Sequence, residues 1–383
     1  GTGDFTHPKW LEHLKDSLSQ SGRTGIYTSE DGFDFVLTTE VSNIFKRNGE
    51  TRKIHSVLLA RNFDQVEQIN SFLSKHGNLA EDGRPTFKDL TCAEMVENLK
   101  EISPDVEVIP AHIWTPWFSL FGSRSGFDSI EACFEDQTKH INALETGLSS
   151  DPGMNWRLSS LDEYTLISNS DSHSPWPWRI GREANVFELD TVTYDKLLGS
   201  IRTGENLRMT VEVNPAYGKY HLDGHRKCDV VMDPREAIKN NNKCPECGNE
   251  LTIGVEHRVE ELADREREFR LEGSPEYIDM MPLAEILSHV LGIKDLYSKT
   301  IKKELNKLIQ KFGSEFEVLL NADYGDIKDT TKDKVARAIV QNRNETYDVN
   351  PGYDGVYGEP IFSFEDKEEQ EVQDTGQSTL DDY

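Results

Sequence analysis

Long apolar runs are absent from this chain of 383 residues. No stretch approaches the roughly 20 consecutive apolar residues that a membrane-spanning helix needs, and no signal peptide opens the sequence. Cysteine is scarce and odd in number, at five residues, which argues against a disulfide framework. No Gly-rich Walker A sequence is present, which argues against a helicase. We therefore expect a cytoplasmic protein that works in a reducing compartment and has no membrane partner.

Positive charge is also in short supply. Lys and Arg number 42 against 69 Asp and Glu, for a formal net charge of −27. Contacts with nucleic-acid phosphates depend on Lys and Arg, so this balance lowers the expectation of DNA binding. Two features weaken that argument: residues 364–383 hold eight acids and one lysine, and acidic metal ligands lose their negative charge once a cation is bound. A salt-rich cytoplasm would select the same acidic surface.

The pattern of apolar residues divides the chain into four segments. Residues 1–205 alternate short apolar strands with amphipathic helices, which predicts a parallel sheet or a β/α barrel. Residues 206–255 carry three of the five cysteines, residues 256–345 are predicted to be helical, and residues 346–383 are predicted to be an extended, disordered acidic tail. Helices are predicted at residues 66–76, 92–102, 129–142 and 298–312. The lysines of the last of these indicate either an ordinary solvated face or a DNA-contacting one.

The sequence of residues 168–175 is the most informative stretch. It places Asp171 and His173 two residues apart, just after the apolar run 164–167, which is predicted to be a buried strand. Residues i and i+2 of an extended segment point to the same face, so the carboxylate and the imidazole can converge. An oxygen and a nitrogen donor of this kind suit a divalent metal such as Zn²⁺ or Mn²⁺.

Other acids and histidines stand at the ends of further predicted strands. Taken alone, His55 is an ordinary buried histidine and Glu40 a surface or capping acid. Taken together they indicate a metal site, because chance rarely places acids and imidazoles at five separate strand ends. Ligands from many strand ends also favour a barrel, since closure of the sheet brings them to one rim. These further candidate ligands are Asp4, Glu40, His55 and His112.

Residues 225–247 show a second metal-binding pattern. His225-x₂-Cys228 is followed after fifteen residues by Cys244-x₂-Cys247, which is the spacing of a small ribbon held by one structural Zn²⁺. His225 is the uncertain fourth ligand, and His221 is the alternative. The remaining cysteines, Cys92 and Cys133, lie in helical patterns and are expected to be inert core residues.

In their order along the chain, the six candidate rim ligands resemble those of a PHP (polymerase and histidinol phosphatase) domain. The chain is similar, more narrowly, to endonuclease Q, and this likeness extends to about Phe362. The motifs that carry it are Gly1-Thr2-Gly3-Asp4 with Pro8-Lys9-Trp10, Pro110-Ala111-His112 with Thr115-Pro116-Trp117, Glu145-Thr146-Gly147-Leu148-Ser149, residues 168–175 with Arg179-Ile180-Gly181-Arg182-Glu183, and Gly218-Lys219-Tyr220-His221. The resemblance implies an α/β fold: a distorted seven-stranded PHP barrel, here without its first strand, then a zinc ribbon and a C-terminal helical domain.

The resemblance also implies a DNA repair endonuclease. Members of that family resemble each other in cutting DNA on the 5′ side of deaminated bases (hypoxanthine, uracil and xanthine) and of abasic sites. Two or three divalent ions, Zn²⁺, Mn²⁺ or Mg²⁺, would lie at the barrel rim, with Glu40 and Asp171 as the catalytic carboxylates because a carboxylate can span two ions. Damaged DNA is the implied partner, with a replication or repair protein as a further one.

Several residues are candidates for contacts with DNA. Arg179 and Arg182 could hold a phosphate bidentately, or could instead pair with Glu183 or neighbouring acids. Lys219 and Tyr220 are further candidates for DNA contacts. An extruded base needs aromatic or apolar walls, and the candidate walls are Trp114, Trp117, Trp176, Trp178, Tyr217 and Tyr220.

The chain departs from the PHP pattern at its start, because the opening His-x-His is absent. We expect an N-terminal truncation that removes two ligands and the first barrel strand, which puts the activity of this chain in doubt. Two rival functions follow from these observations. A small-molecule PHP phosphatase would explain the rim and the acidic surface, whereas a non-catalytic module that binds DNA lesions would explain the missing ligands.

Overall fold

The computed structural model describes residues 1–81 and 83–364. The strands of this part are β1 (Leu18–Gln20), β2 (Tyr27–Ser29), β3 (Asp34–Phe35), β4 (Leu37–Arg47), β5 (Glu50–Ala60), β6 (Thr86–Lys88), β7 (Glu107–Pro110), β8 (Ala143–Glu145), β9 (Thr165–Ile167), β10 (Ala184–Phe187), β11 (Leu207–Glu212), β12 (Asp223–His225), β13 (Val230–Met232), β14 (Glu276–Asp279), β15 (Asp348–Asn350) and β16 (Glu359–Ile361). The α-helices are α1 (Pro8–Ser17), α2 (Phe63–Leu73), α3 (Cys92–Ile102), α4 (Ile130–Phe134), α5 (Pro152–Asn155), α6 (Tyr194–Thr203), α7 (Pro234–Lys239), α8 (Val255–Leu262), α9 (Leu283–Leu291), α10 (Lys299–Phe312), α11 (Tyr324–Thr330) and α12 (Asp333–Arg343).

The longest pairing is an antiparallel hairpin of β4 and β5, where the sequence predicted parallel strands. Arg47 pairs with Glu50, so the turn consists of Asn48 and Gly49, with φ values of 51° and 82°. Two positive φ values are the mark of a type I′ turn, for which Asn-Gly is the strongest sequence signal. Glu40 and His55 consequently lie inside long strands, and the prediction that they stand at strand ends is wrong.

The remaining strands form several small sheets, and the fold is mixed α/β. β6 pairs parallel to β4 and β7 antiparallel to β5, which gives the order β6-β4-β5-β7. β8 and β9 form a parallel pair, and β10, β11 and β14 form a third sheet. Among residues 1–81 and 83–364 these sheets are not joined into one closed ladder, so a closed seven-stranded barrel is not shown. Single hydrogen bonds link the sheets, such as Ile113 N–H to Glu145 O and Ser168 Oγ to Val211 O.

The helix predictions succeed where local signals are strong. α3 has the predicted bounds, because Thr91 and Glu94 form a capping box at its start. The helix predicted at residues 129–142 is shorter: α4 ends at Phe134, and Glu135 takes a φ of 53° before a 3₁₀ turn, Glu135–His140. Cys92 and Cys133 are buried in this region, as predicted.

The two largest of the four hydrophobic cores in the described residues cross the expected segment boundaries. The first core, built on β4, β5, α2 and α3, also contains Val255 and Val259 from α8. The second core joins β11 and β14 to α9, α10 and α12 and includes Trp178. The loop after residue 173 and the C-terminal helices therefore share one core.

The prediction of a disordered tail is wrong for residues 346–364. β15 and β16 form an antiparallel pair there, and Phe362 and Phe364 pack against the second core. Residues 365–383 lie outside the described part. No helix in the described ranges is long and apolar enough to cross a membrane.

Candidate metal centres

Glu40, His55 and His112 converge on one point. Oε1 of Glu40 lies 2.9 Å from Nδ1 of His55 and 3.4 Å from Nε2 of His112, and the two imidazole nitrogens are 3.2 Å apart. Both histidines are buried, and the Glu40 side chain is about one-fifth exposed (21%). These three residues form one of two groups, among the residues that the structure describes, that could hold a metal ion.

Strand register and one loop place these three side chains. In the β4–β5 ladder Glu40 faces Val57 and Ser42 faces His55, which sets the two ligands on adjacent strands. His112 follows β7 with a φ of 31°, in the left-handed region. Its Nδ1 lies 3.0 Å from Oγ1 of Thr115, which itself donates to Trp117 O. We therefore assign the imidazole proton to Nδ1, which leaves the Nε2 lone pair facing Glu40 and His55.

The charge states of Glu40 and His55 suit a cation, whereas the hydrogen bond and charge of Glu40 outweigh burial and raise the pKa of His112, so His112 must lose a proton before it binds one. Burial alone raises the pKa of Glu40, but its contacts with His112 and His55 outweigh burial and lower the pKa below the usual range. Burial lowers the pKa of His55 to about 4, so this imidazole is neutral at neutral pH. Oε1 of Glu40 is buried and receives no hydrogen bond within the described part of the chain. One carboxylate and two imidazoles around such an oxygen match the donor set of Zn²⁺ or Mn²⁺.

Asp4, Asp171 and His173 surround this group without joining it. The charge of Asp171 acts on His112, and that of Glu40 acts on Asp4. The His173 side chain is two-thirds exposed (67%), with Nδ1 3.5 Å from Oδ1 of Asp171. Asp4 and Asp171 have φ values of 46° and 42°, and strained backbone of this kind clusters at functional sites. The structure therefore brings three of the six predicted ligands together and leaves the other three nearby.

Glu145 is a site residue whose role the sequence reasoning missed. It ends β8, and its Oε2 accepts a hydrogen bond of 2.7 Å from the His112 N–H, while Oε1 accepts one of 2.8 Å from Asn169 Nδ2. Burial raises its pKa to about 7. Its place in the motif Glu145-Thr146-Gly147-Leu148-Ser149 was the available signal.

Arg84 was also missed, and no sequence signal marks it. It lies in the segment before β6, and its Nε is 3.3 Å from Oε1 of Glu40. A guanidinium at that distance partly neutralises the carboxylate, so it competes with any cation at the centre.

The predicted phosphate-binding arginines have protein partners. Arg182 donates from Nε to Ser170 O (2.8 Å) and from Nη2 to Asp171 O (3.2 Å), which holds the loop of residues 170–173. Nη1 of Arg179 lies 3.4 Å from Oε1 of Glu285. The expected alternative was ion pairing with Glu183 or neighbouring acids; Arg179 pairs with the acid Glu285, whereas Arg182 donates to backbone carbonyls.

The six predicted aromatic walls differ in accessibility. Trp114 and Trp178 are buried, and Trp114 donates to Asn155 Oδ1 at 2.8 Å, so both belong to the core. Trp117 is 44% exposed and lies beside Tyr220. Tyr217 is half-buried between the loops of the C-terminal part, and Trp176 stacks on Trp178. Trp117 and Tyr220 are therefore the accessible pair on the His112 side.

His225, Cys228, Cys244 and Cys247 form the second possible metal group. β12 and the 3₁₀ turn Arg226–Cys228 supply the first two, and the Cys244 N–H donates to Asn249 O to close the second knuckle. Three thiols and one imidazole are the donor set of a structural zinc site. His221, the alternative ligand, is not in the group; burial lowers its pKa to about 4.

Comparisons of sequence place the chain among proteins of archaea and bacteria. Residues 282–346 match the family described as the MJ0043 C-terminal domain. The chain is 36% identical over 257 residues to the protein MJ0043 of Methanocaldococcus jannaschii, a match that covers 65% of this chain and 31% of that protein. It is 31% identical over 253 residues to YqxK of Bacillus subtilis, covering 65% and 59% of the two chains. The matches thus span less than two-thirds of these relatives.

Comparison of structures covers nearly the whole chain. The crystal structure of the lesion-specific endonuclease PfuEndoQ from Pyrococcus furiosus superimposes with a TM-score of 0.83 at 33% identity, over 94% of this chain and 86% of that one. The crystal structure of an endonuclease Q bound to a 27-mer duplex with an abasic lesion at its active site superimposes with a TM-score of 0.81 at 33% identity. The match covers 95% of this chain and 87% of that one. The chain therefore belongs to the endonuclease Q family.

Proposed function

We propose that this chain is a lesion-specific DNA endonuclease that uses divalent metal ions. The observation that carries the proposal is the preformed group of Glu40, His55 and His112, in a chain whose fold matches an endonuclease Q bound to lesion DNA. The bond cut is the phosphodiester on the 5′ side of hypoxanthine, uracil, xanthine or an abasic site. We further propose a cytoplasmic protein on the nucleoid, with a replication or repair protein as a partner.

Each residue of the centre has a proposed role. Glu40, His55 and His112 hold a first ion, and Asp4, Asp171 and His173 supply the ligands for one or two more. Divalent ions there would polarise the scissile phosphate and lower the pKa of attacking water. Glu40 is ionised and His55 neutral at neutral pH, so neither must lose a proton before it can bind a cation.

The surrounding residues position these groups. Glu145 holds the backbone of His112, and Arg182 holds the carbonyl groups of Ser170 and Asp171. Arg179 stands on the same loop with its guanidinium about one-third exposed (38%), so it can contact a neighbouring phosphate. The ligands are thus oriented before DNA arrives, and this lowers the cost of reaching the reactive geometry.

The finer architecture is part of the proposal. We assign residues 1–205 to a PHP-type β/α unit, residues 206–255 to a ribbon with one structural Zn²⁺, and residues 256–345 to a helical C-terminal domain. The donor set of three cysteines and one histidine supports the Zn²⁺ assignment. The helices α9–α12 support the assignment of the C-terminal domain.

Incision of defined duplexes tests this function. Labelled duplexes with one uracil, hypoxanthine or abasic site, and an undamaged duplex, are incubated with the chain in Mn²⁺ or Mg²⁺. We expect a cut 5′ to the lesion, loss of cutting with EDTA, and a loss of about 10²-fold or more in Asp171→Asn and Glu40→Gln.

The rival functions give different results in the same assay. Hydrolysis of small phosphate monoesters with intact lesion DNA would favour a small-molecule PHP phosphatase. Tight lesion binding without a cut, unchanged in Asp171→Asn, would favour a non-catalytic lesion-binding module. Either result would overturn the nuclease proposal.

A further inference from the structure

Two exposed aromatic rings, one half-buried ring and a lysine lie together beside the candidate metal centre. Trp117 and Tyr220 have ring centroids 5.8 Å apart at 73°. Nζ of Lys219 lies 5.5 Å from the Tyr220 ring and 5.8 Å from the Tyr357 ring. Trp117 is 44% exposed and Tyr357 is 68% exposed. We call Trp117, Lys219, Tyr220 and Tyr357 the aromatic patch.

The β15–β16 hairpin delivers Tyr357 to this patch. The N–H groups of Gly352, Gly355 and Gly358 donate to the carbonyls of Ala216, Lys219 and Tyr217 at 2.8, 2.8 and 3.0 Å. A Cβ at Gly358 would lie 2.2 Å from Ala216 O, so the two backbones approach as only glycine allows. Tyr357 is therefore held against residues 216–220 rather than placed at random on a loose end.

Residues next to the Cys/His group (His225, Cys228, Cys244 and Cys247) anchor the other side of the hairpin. Oδ2 of Asp354 accepts from the Arg226 N–H at 2.7 Å, and its Oδ1 accepts from Thr252 Oγ1 at 2.6 Å. The Tyr353 hydroxyl donates to Asp229 Oδ1 at 2.7 Å. The hairpin loop thus contacts both the ribbon segment and the aromatic patch, and these contacts restrain the backbone that carries Tyr357.

Short contacts tie the patch to the metal centre. Thr115 pairs with Nδ1 of His112 and donates to Trp117 O. The next ring, Phe118, stacks on His55 with centroids 4.7 Å apart, and its carbonyl accepts from the His55 N–H. A duplex whose scissile phosphate reached the metal centre would therefore lie close to Trp117.

The chemistry of the patch fits unpaired DNA. Exposed aromatic faces bind bases by stacking, and a lysine among them adds a contact for phosphate. Within residues 1–81 and 83–364 no salt bridge involves Lys219, so its charge is available. In a chain with a net charge of −27, short-range stacking with one local cation is a better source of DNA affinity than a broad basic surface.

We propose that the aromatic patch stacks an unpaired base of the DNA beside the lesion, with Lys219 on the adjoining phosphate. This inference rests on the proposed function and adds a binding site to it. It predicts that the Tyr357 ring contributes to DNA affinity in the absence of chemistry. A duplex that contains an abasic site offers such a base, because the nucleotide opposite the gap has no partner.

Binding without cleavage tests the patch. Fluorescence anisotropy of a labelled duplex with an abasic site is measured in Ca²⁺ instead of Mn²⁺, with Tyr357→Ala, Tyr357→Phe and Trp117→Ala. Phe33→Ala is the matched control, because Phe33 is 69% exposed and belongs to the turn between β2 and β3. We expect Tyr357→Ala and Trp117→Ala to bind about tenfold more weakly, and Tyr357→Phe and Phe33→Ala to bind as the parent does.

Failure of the patch is distinguishable from failure of the proposed function. If the parent binds and cuts lesion DNA while both alanine variants bind equally tightly, the patch is wrong and the nuclease stands. If the parent binds no lesion DNA, both proposals are overturned. If Tyr357→Phe loses as much affinity as Tyr357→Ala, the hydroxyl and not the ring is responsible, which also overturns stacking.

Discussion

The buried carboxylate of Glu145 accepts a hydrogen bond from the backbone N–H of His112 at 2.7 Å. His112 is a candidate metal ligand, and its φ of 31° is unfavourable for a residue with a side chain. Gly147 packs under the same residue, where a Cβ would lie 2.5 Å from that of His112. The strained backbone is therefore supported from two sides, and the direction of the imidazole depends on both.

Removal of the Glu145 carboxylate is expected to weaken metal binding. Glu145→Ala leaves the His112 N–H without its acceptor, so Mn²⁺ affinity should fall about 10- to 100-fold. Glu145→Gln keeps one acceptor oxygen and should lose less. Calorimetric titration with Mn²⁺ measures both, and Glu101→Ala, an exposed acid on α3, is the control. Unchanged Mn²⁺ affinity in Glu145→Ala would contradict the positioning role.

Removal of Arg84 is expected to strengthen metal binding. Its Nε lies 3.3 Å from Oε1 of Glu40, so the guanidinium repels a cation at the same oxygen. Arg84→Gln should raise Mn²⁺ affinity about three- to tenfold at low ionic strength, and salt should reduce the difference. Titration of Mn²⁺ at two salt concentrations gives the answer. Weaker Mn²⁺ binding in this variant would show that Arg84 supports the centre instead.

The free energy of unfolding should fall between pH 4.5 and 7 because Glu212 is a buried acid. Burial raises the pKa of Glu212 to about 7, while Oγ1 of Thr146 and Oγ1 of Thr210 donate to its oxygens. The folded state holds the proton more tightly than the unfolded state, so this contribution is full below the unfolded pKa and is lost as pH rises to about 7.

A single substitution isolates that effect. Glu212→Gln removes the titration, and its free energy of unfolding should decline less between pH 4.5 and 7 than that of the parent, by on the order of 3 kcal/mol. Urea denaturation at a series of pH values measures the two slopes. Parallel slopes would show that Glu212 is already ionised in the folded chain.

Zinc content should depend on the Cys/His group. We expect one Zn²⁺ per chain, and we expect Cys244→Ser and His225→Ala to lose it together with several degrees of thermal stability. Cys92→Ala and His221→Ala are the matched controls, because Cys92 is a core residue and His221 lies outside the group. Elemental analysis measures the zinc content of each variant. Full zinc content in His225→Ala would show that His225 is not a ligand of this zinc ion.

The metal groups were largely predictable from sequence because metal ligands are rare residue types in recognisable positions. Glu40, His55 and His112 were singled out as acids and imidazoles on β-prone runs, and the structure brings them within contact. The spacing of the cysteines sufficed for the second group. α3 was predicted to the residue, since the Thr91 and Glu94 capping box is a local signal.

Other features were not predictable in the same way. Asn48-Gly49 is a hairpin signal in the sequence, but the alternation of strands and helices favoured parallel strands. The antiparallel pairing of β4 and β5 was therefore not predicted. Arg84 reaches Glu40 from a segment without any pattern. Tyr357 fell in a segment predicted to be a tail, because its few apolar residues do not show that a hairpin would pack against residues 216–220.

The sequence alone thus determined the chemistry of this protein: which residue types are available to bind metal, where α3 begins and ends, and the family that its motifs resemble. The tertiary structure decided the geometry. Only the fold shows that Glu145 holds His112, that Asp171 and His173 stand outside the innermost group, and that the Tyr357 ring lies beside Lys219. Local propensities act over a few residues, whereas the first and last of these contacts join residues 33 and 138 positions apart, and burial and packing of the whole chain alone bring such segments together.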